Sequence, residues 1–255
     1  MVRQWISRSL ILGSVLALSI PGAVDAASKY KEGTVTDGGV IKGKVMFDGA
    51  LPDDAIENIL ITKNPDVCGT GEREVVWVDV KDGALRGAFV FIDKIKEGKA
   101  WPEDEIYLIN QEGCRFTPWA QVIQPGPITI RNSDKGVLHN INTREMIGVE
   151  KNRLVMRTMF NFGQPDPGEI EQEVKPRRSP YIAINCEAHN FMFGFLLAPK
   201  HPYAVVVGED GSFSIDDVPP GDYKIKAWHP RFGVLKAKVT VPAGGEVEAD
   251  FTFAM

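Results

Sequence analysis

The chain has 255 residues, 29 Lys and Arg against 34 Asp and Glu, and a formal net charge of -5. This mildly acidic balance excludes a general nucleic-acid or anionic-lipid surface, although one basic piece, KPRR at 175–178, remains and reads as a solvated turn. The length exceeds that of one small β-sandwich, so two domains are expected.

Residues 1–26 read as an export signal: Arg3 and Arg8 lead, 10–20 form a short apolar core, and Val24-Asp25-Ala26 precedes a cleavage point. That core is far shorter than the roughly 20 residues needed to span a bilayer. A cleaved leader and a periplasmic mature protein without an integral membrane span are therefore expected, with an uncleaved anchor as the alternative. From residue 33 onward, apolar and polar residues alternate between Gly, Pro and Asp punctuation, which predicts an all-β chain. Strands are predicted at 40–47, 88–92, 105–110, 128–132, 169–174, 181–185, 194–198, 223–228 and 236–241. Weak helical signals fall at 53–58 and 152–158. Near the end, Asp210-Gly211 marks a tight hairpin turn, Phe213 and Ile215 then point to one face, and VPPGDY at 218–223 turns into another strand.

The chemistry concentrates in Cys186-Glu-Ala-His189-Asn-Phe-Met192, which puts a thiol, an imidazole and a thioether within seven residues at the end of a predicted strand. A second imidazole, His139, follows a strand that runs into a loop. Two His, one Cys and a weak axial Met form the donor set of a type 1 copper centre, in which Cys186 binds as thiolate, His139 and His189 complete a trigonal plane, and Met192 tunes the potential. Three cysteines are an odd number for an exported chain. If metal holds Cys186, then Cys68 and Cys114, both in turn-like contexts, are left to form a disulfide; sequence leaves open that any two of the three pair instead. Met146, Met156 and Met159 are candidates for a second, Cu(I)-selective site suited to copper storage or delivery. No Ser-His-Asp order, phosphate-binding Gly loop or Cys-x-x-Cys-His haem signature is present, so hydrolase, phosphotransferase and cytochrome readings lack support.

Residues 106–118, 123–130 and 139–141 resemble the front half of a plastocyanin-like cupredoxin, and 181–197 resemble its last hairpin. The ligand loop is similar in length to that of amicyanin, with Phe191 before Met192 and Asn190 where that loop has Pro. The resemblance implies a Greek-key β-sandwich over 103–202 with one type 1 copper. It gives Asn140 the role of tying the two ligand loops together by its side-chain amide. Phe191, Phe193 and Phe195 alternate along the loop and next strand, so one set should face outward; Phe191 is the candidate for an apolar docking patch at the His189 edge. Residues 39–45, 85–92 and 210–223 resemble the two halves of a carboxypeptidase regulatory-like, transthyretin-like domain, implying a small discontinuous sandwich over 33–95 and 203–255 into which the cupredoxin is inserted. Simple tandem order is the competing layout. Trp119 stands where related two-domain proteins often have His, and His201 and His229 are read as packing or turn residues.

These features together predict a one-electron carrier rather than an enzyme, serving redox partners such as a cytochrome or oxidoreductase. The alternatives are a periplasmic copper-delivery protein and a metal-free binding or assembly module.

Overall fold

The computed structural model describes residues 29–151 and 153–255. The export signal expected at 1–26 lies outside the described residues. No helix among the described residues is long and apolar enough to cross a membrane.

The chain is all-β, and its strands build two sandwiches. In the first, Phe89–Ile92 lies between Ala204–Val206 and Gly221–His229, with Gly233–Val241 beyond. The facing sheet centres on Gly39–Asp48, which pairs with Ser212–Val218 on one side and with Ala84–Leu85 on the other, and runs parallel to Glu246–Glu248 and Phe251–Ala254. Strands from both ends of the sequence thus enclose one core, with Ile41, Val45, Leu85, Val90, Ile92, Ile225 and Phe251 in contact. The turn at Asp210-Gly211 carries the chain from one of these sheets to the other. Phe213 and Ile215 do share the inner face.

The second sandwich uses the intervening residues. One sheet has the order Phe116–Thr117, Leu108–Gln111, Gly126–Asn132, Gly168–Val174. The other has the order Ala120–Val122, Phe193–Leu197, Tyr181–Asn185, His139–Ile147, Val155–Gln164. In Gly126–Asn132, burial alternates strictly and Ile128 and Ile130 enter the core, as expected for a strand with one wet face.

Phe89–Ile92 and Tyr181–Asn185 instead read as continuous apolar runs, because both of their faces are covered. Val90 and Ile92 point into the first core and Ile182 and Ile184 into the second, while Phe89, Phe91, Tyr181 and Ala183 meet in a third cluster between the sandwiches. Trp228 centres that layer, 4.9 Å from the Phe89 ring and 4.7 Å from the Tyr181 ring. Charged groups lock its rim: Lys226 pairs with Asp93 and, at 2.8 Å, with Glu150, which also takes Lys236 at 2.7 Å.

Each predicted strand is found within a few residues of its expected ends, whereas the two helical signals are not helices. Residues 53–55 form a turn before the strand Ile56–Leu60, and the other segment runs into Val155–Gln164. The long strand His139–Ile147 carries Asn142, Thr143 and Glu145 at buried positions. That polar content obscures its inward face in the sequence. Glu145 shows why such residues are tolerated. Its carboxylate accepts N–H bonds from Arg177 at 2.9 Å and Ser179 at 2.8 Å, another from Arg178, and a salt bridge from Arg157. Burial pushes its pKa up, but these donors outweigh burial and hold it below the usual range. The basic piece at 175–178 is therefore anchored through its backbone, with the Arg177 and Arg178 side chains left in solvent.

His201 and His229 are buried in the first sandwich, and their Nδ1 atoms accept the N–H groups of Tyr203 at 3.3 Å and Arg231 at 3.2 Å. Desolvation pushes each pKa from 6.5 down to about 4. The unfolded chain takes up these protons first as pH falls, so the stability they contribute is present above pH 6.5 and is lost between 6.5 and 4. Each loss is on the order of 3 kcal/mol. Urea unfolding midpoints are expected to drop across this window, and to drop less in a His201→Asn, His229→Asn variant whose side-chain oxygens mimic the Nδ1 acceptors. A midpoint independent of pH there would contradict the burial argument.

Candidate metal centre

Register brings the donors together. His139–Ile147 pairs antiparallel with Tyr181–Asn185, with Asn142 opposite Asn185, so His139 at the start of one strand and Cys186 just past the end of the other reach the same end of the sheet. The chain then turns back into Phe193–Leu197 through a loop closed by its own backbone. The Cys186 N–H donates to the Met192 carbonyl at 3.1 Å, and the Met192 N–H donates to the His189 carbonyl at 3.0 Å. These bonds fix the loop despite Asn190 at the position where Pro would stiffen it.

Cys186 Sγ lies 3.6 Å from His189 Nδ1. One nitrogen of His139, one of His189 and the Cys186 sulfur all fall within 4.8 Å of one another. Ligands each about 2 Å from a shared ion are separated by at most about 4 Å, so the thiol–imidazole spacing suits a common metal. His139, Cys186, His189 and Met192 are all buried, and Cys186 and Met192 belong to one core cluster.

The outer nitrogen of each imidazole is held. His139 Nε2 bonds Asp134 Oδ2 at 2.7 Å, which leaves its buried Nδ1 without a partner. An orphaned buried acceptor is costly, and a metal in the cluster would satisfy it. Asp134 also accepts the N–H groups of Cys114 at 2.9 Å and Gly113 at 2.8 Å. Burial pushes its pKa up, but the Cys114 N–H, the His139 ring and the Gly113 N–H together hold it below the usual carboxylate range. His189 Nε2 bonds Asn64 Oδ1 at 3.1 Å. Burial first, then the charges of His139, Lys63 and Arg73, push the His189 pKa down to about 4. Its ring is neutral at ordinary pH, the form that binds metal.

Asn140 joins the two segments that carry the candidate donors. Its N–H points at Cys186 Sγ at 3.4 Å, its Oδ1 accepts the Glu187 N–H at 2.6 Å, and its amide nitrogen bonds Asn161. Cys68 and Cys114 form a disulfide, and Cys186 is the free, buried thiol.

Phe191 differs from its expected role. It is only 5% exposed, because the Arg73 guanidinium covers its ring at 4.6 Å, and it offers no open docking face. Arg73 is fixed there by the carbonyls of Cys114 at 2.6 Å, Gly113 at 3.2 Å and Cys68. Phe193 is half-buried against Trp77, 4.1 Å between ring centres. The three methionines considered as a second site do not gather. Met146 and Met156 are cross-strand partners, but Met146 packs between the sandwiches whereas Met159 packs on the core of the second.

Asp134 and Asn64 escape sequence reading. An Asp five residues before a His and an Asn before a Pro are ordinary turn signals, and nothing local marks an Asn 125 positions from its imidazole partner.

Residues 199–249 match the family model described as polysaccharide lyase family 4, domain II. This names a different family for the stretch that resembles the regulatory-like domain, and it covers a minority of the chain. No curated protein sequence matches. Among solved structures, the chain is similar to a purple cupredoxin from Nitrosopumilus maritimus, with 17% identity, 36% of this chain and 99% of that one covered, and a TM-score of 0.29. A copper-containing nitrite reductase from Thermus scotoductus matches with 13% identity over 42% of this chain and 25% of that one, TM-score 0.28. Amicyanin from Paracoccus versutus matches with 12% identity over 43% of this chain and 97% of that one, TM-score 0.27. At such scores the case for the centre rests on its own donor geometry.

Replacing Asn140 by Ala removes the acceptor for the Glu187 N–H and the bond to Asn161. The expected cost is about 1–2 kcal/mol of unfolding free energy, with Asn140→Asp recovering part of it through the retained acceptor. Equal stability of Asn140→Ala and the parent in urea titration would remove Asn140 from this role.

Proposed function

We propose that the protein is an exported, periplasmic type 1 copper protein that carries single electrons, binding one copper through His139, Cys186, His189 and Met192. The observation that carries this reading is the convergence of two imidazoles and a free thiol at one buried sheet end, with the His139 Nδ1 left unsatisfied. Copper held there would alternate between Cu(I) and Cu(II). A Cys thiolate and a thioether suit the soft Cu(I) state, and imidazole suits both.

The remaining work falls to the chain. Asp134 and Asn64 hold the imidazoles by their outer nitrogens, Asn140 directs an N–H at the Cys186 sulfur, and the backbone closes the loop on Met192. Donors fixed before metal arrives need little movement when charge changes, which favours rapid exchange. Their burial excludes water and restrains loss of the ion, which favours a carrier over a copper donor. A sandwich spanning 103–202 would carry the centre as an insertion into the one formed by 33–95 and 203–255, consistent with the pairing of Phe89–Ile92 to Ala204–Val206 and Gly221–His229. A redox protein such as a cytochrome or an oxidoreductase is the partner class this chemistry requires.

Voltammetry of the copper-loaded protein, with a Cu(I) chelator added in parallel, tests the reading. Reversible one-electron waves and retention of copper against the chelator are expected. Rapid transfer of copper to the chelator, without a reversible wave, would identify a delivery protein instead.

A further inference from the structure

The segment that reaches over His189 is a single helical turn, Pro65–Cys68, and both of its ends engage the metal centre. At its start, Asn64 stands in the left-handed region with φ 49 and ψ 51. A capping Asn turns its side chain onto the first free N–H groups of a helix from the β region, a geometry that the left-handed Asn64 does not have. Here no such cap forms. The Asn64 carbonyl takes the Cys68 N–H at 2.8 Å, and the side chain is left for His189 Nε2.

At the other end of the turn, Cys68 is joined to Cys114. The Cys114 N–H is one of the two backbone groups that hold Asp134, the partner of His139 Nε2. The bridge also packs directly on the imidazoles. Both of its sulfurs lie within 4.8 Å of a His189 nitrogen, and Cys114 Sγ, an Asp134 oxygen and a His139 nitrogen form a second cluster of the same size. A continuous covalent and hydrogen-bonded path therefore runs from His189 through Asn64, the helical turn, the disulfide and Asp134 to His139.

We propose that Asn64 is a positioning residue for His189, and that the Cys68–Cys114 bridge is the brace that keeps Asn64 and Asp134 in place so that both rings present Nδ1 to the metal. The consequence for copper rests on the function proposed above; the consequence for the rings does not. Arg73 binds the carbonyls of Cys68, Gly113 and Cys114 independently of the bridge, so loss of the disulfide should loosen the path without unfolding the site.

Two variants separate the parts: Asn64→Gly, which tolerates the left-handed backbone and removes the amide, and Cys68→Ser together with Cys114→Ser. Asn64→Asp restores an acceptor oxygen. In the metal-free protein, long-range 1H–15N NMR should show both rings of the parent as Nε2–H tautomers. Asn64→Gly should mix the tautomers of His189, the double Ser variant should mix both rings, and Asn64→Asp should stay near the parent. Copper release to a chelator should accelerate in Asn64→Gly by up to the about 10- to 100-fold that lost outer partners of metal-bound His cost in affinity, with a change in the same direction in the double variant. Circular dichroism of each variant checks that the fold persists. Parent-like tautomers and release within about twofold in folded variants would overturn the proposal. Shifted tautomers in a protein that takes up no copper would uphold the brace and defeat the copper reading.

Discussion

The register between His139–Ile147 and Tyr181–Asn185 is the constraint on which the centre depends. Side chains alternate across a strand, so a slip of one residue would send an inward face outward. With Asn142 opposite Asn185, His139 and Cys186 arrive at the same sheet end. The apolar pairs Ile182 and Ile184 on one face, and Tyr181 and Ala183 on the other, are both buried. A slip would expose neither face to water, yet it would mismatch two packed cores at once. The register is thereby held from both sides.

That double burial explains how the two sandwiches serve the site. The layer formed by Phe89, Phe91, Trp228, Tyr181 and Leu197 covers the back of the sheet that carries His139 and leads into Cys186. The ion pairs of Lys226 and Lys236 with Glu150 close its rim, and the Lys226, Lys236 and Tyr181 contacts hold the Glu150 pKa down to about 2 against the upward push of burial. The first sandwich contributes no donor to the cluster. Its structural contribution is a firm backing for Tyr181–Asn185.

Much of this was legible in the sequence where the signal is local. Strand period, turn residues and the Cys-x-x-His-x-x-Met spacing follow from chemistry within a few residues, and predicted strands such as 128–132 and 181–185 coincide with observed ones. The pairing of Cys68 with Cys114 was expected once Cys186 is set aside, with other pairings open because cysteine separation does not fix geometry; the fold contains it. His139–Ile147 was obscured because Thr143 and Glu145 fill buried positions that period-two reading assigns to apolar residues, while Asn142 is buried on the opposite face. Phe191 was misjudged for a different reason. Its cover, Arg73, comes from a strand more than a hundred residues away, and only the folded chain shows a guanidinium over that ring. Asn64 was unreadable for the same cause, since its imidazole partner lies 125 positions away, whereas Asp134, five residues before His139, was hidden because an Asp in a loop is an ordinary turn signal.

One copper held by Cys186, His139, His189 and Met192 would be a thiolate centre with its own spectrum. The most direct measurement is the visible absorption and electron paramagnetic resonance spectrum of the protein after Cu(II) addition, beside a Cys186→Ser control. One copper per chain and an intense thiolate-to-copper charge-transfer band that the control lacks are expected. A colourless protein that takes up no copper, or a band that survives in the control, would contradict a thiolate copper centre.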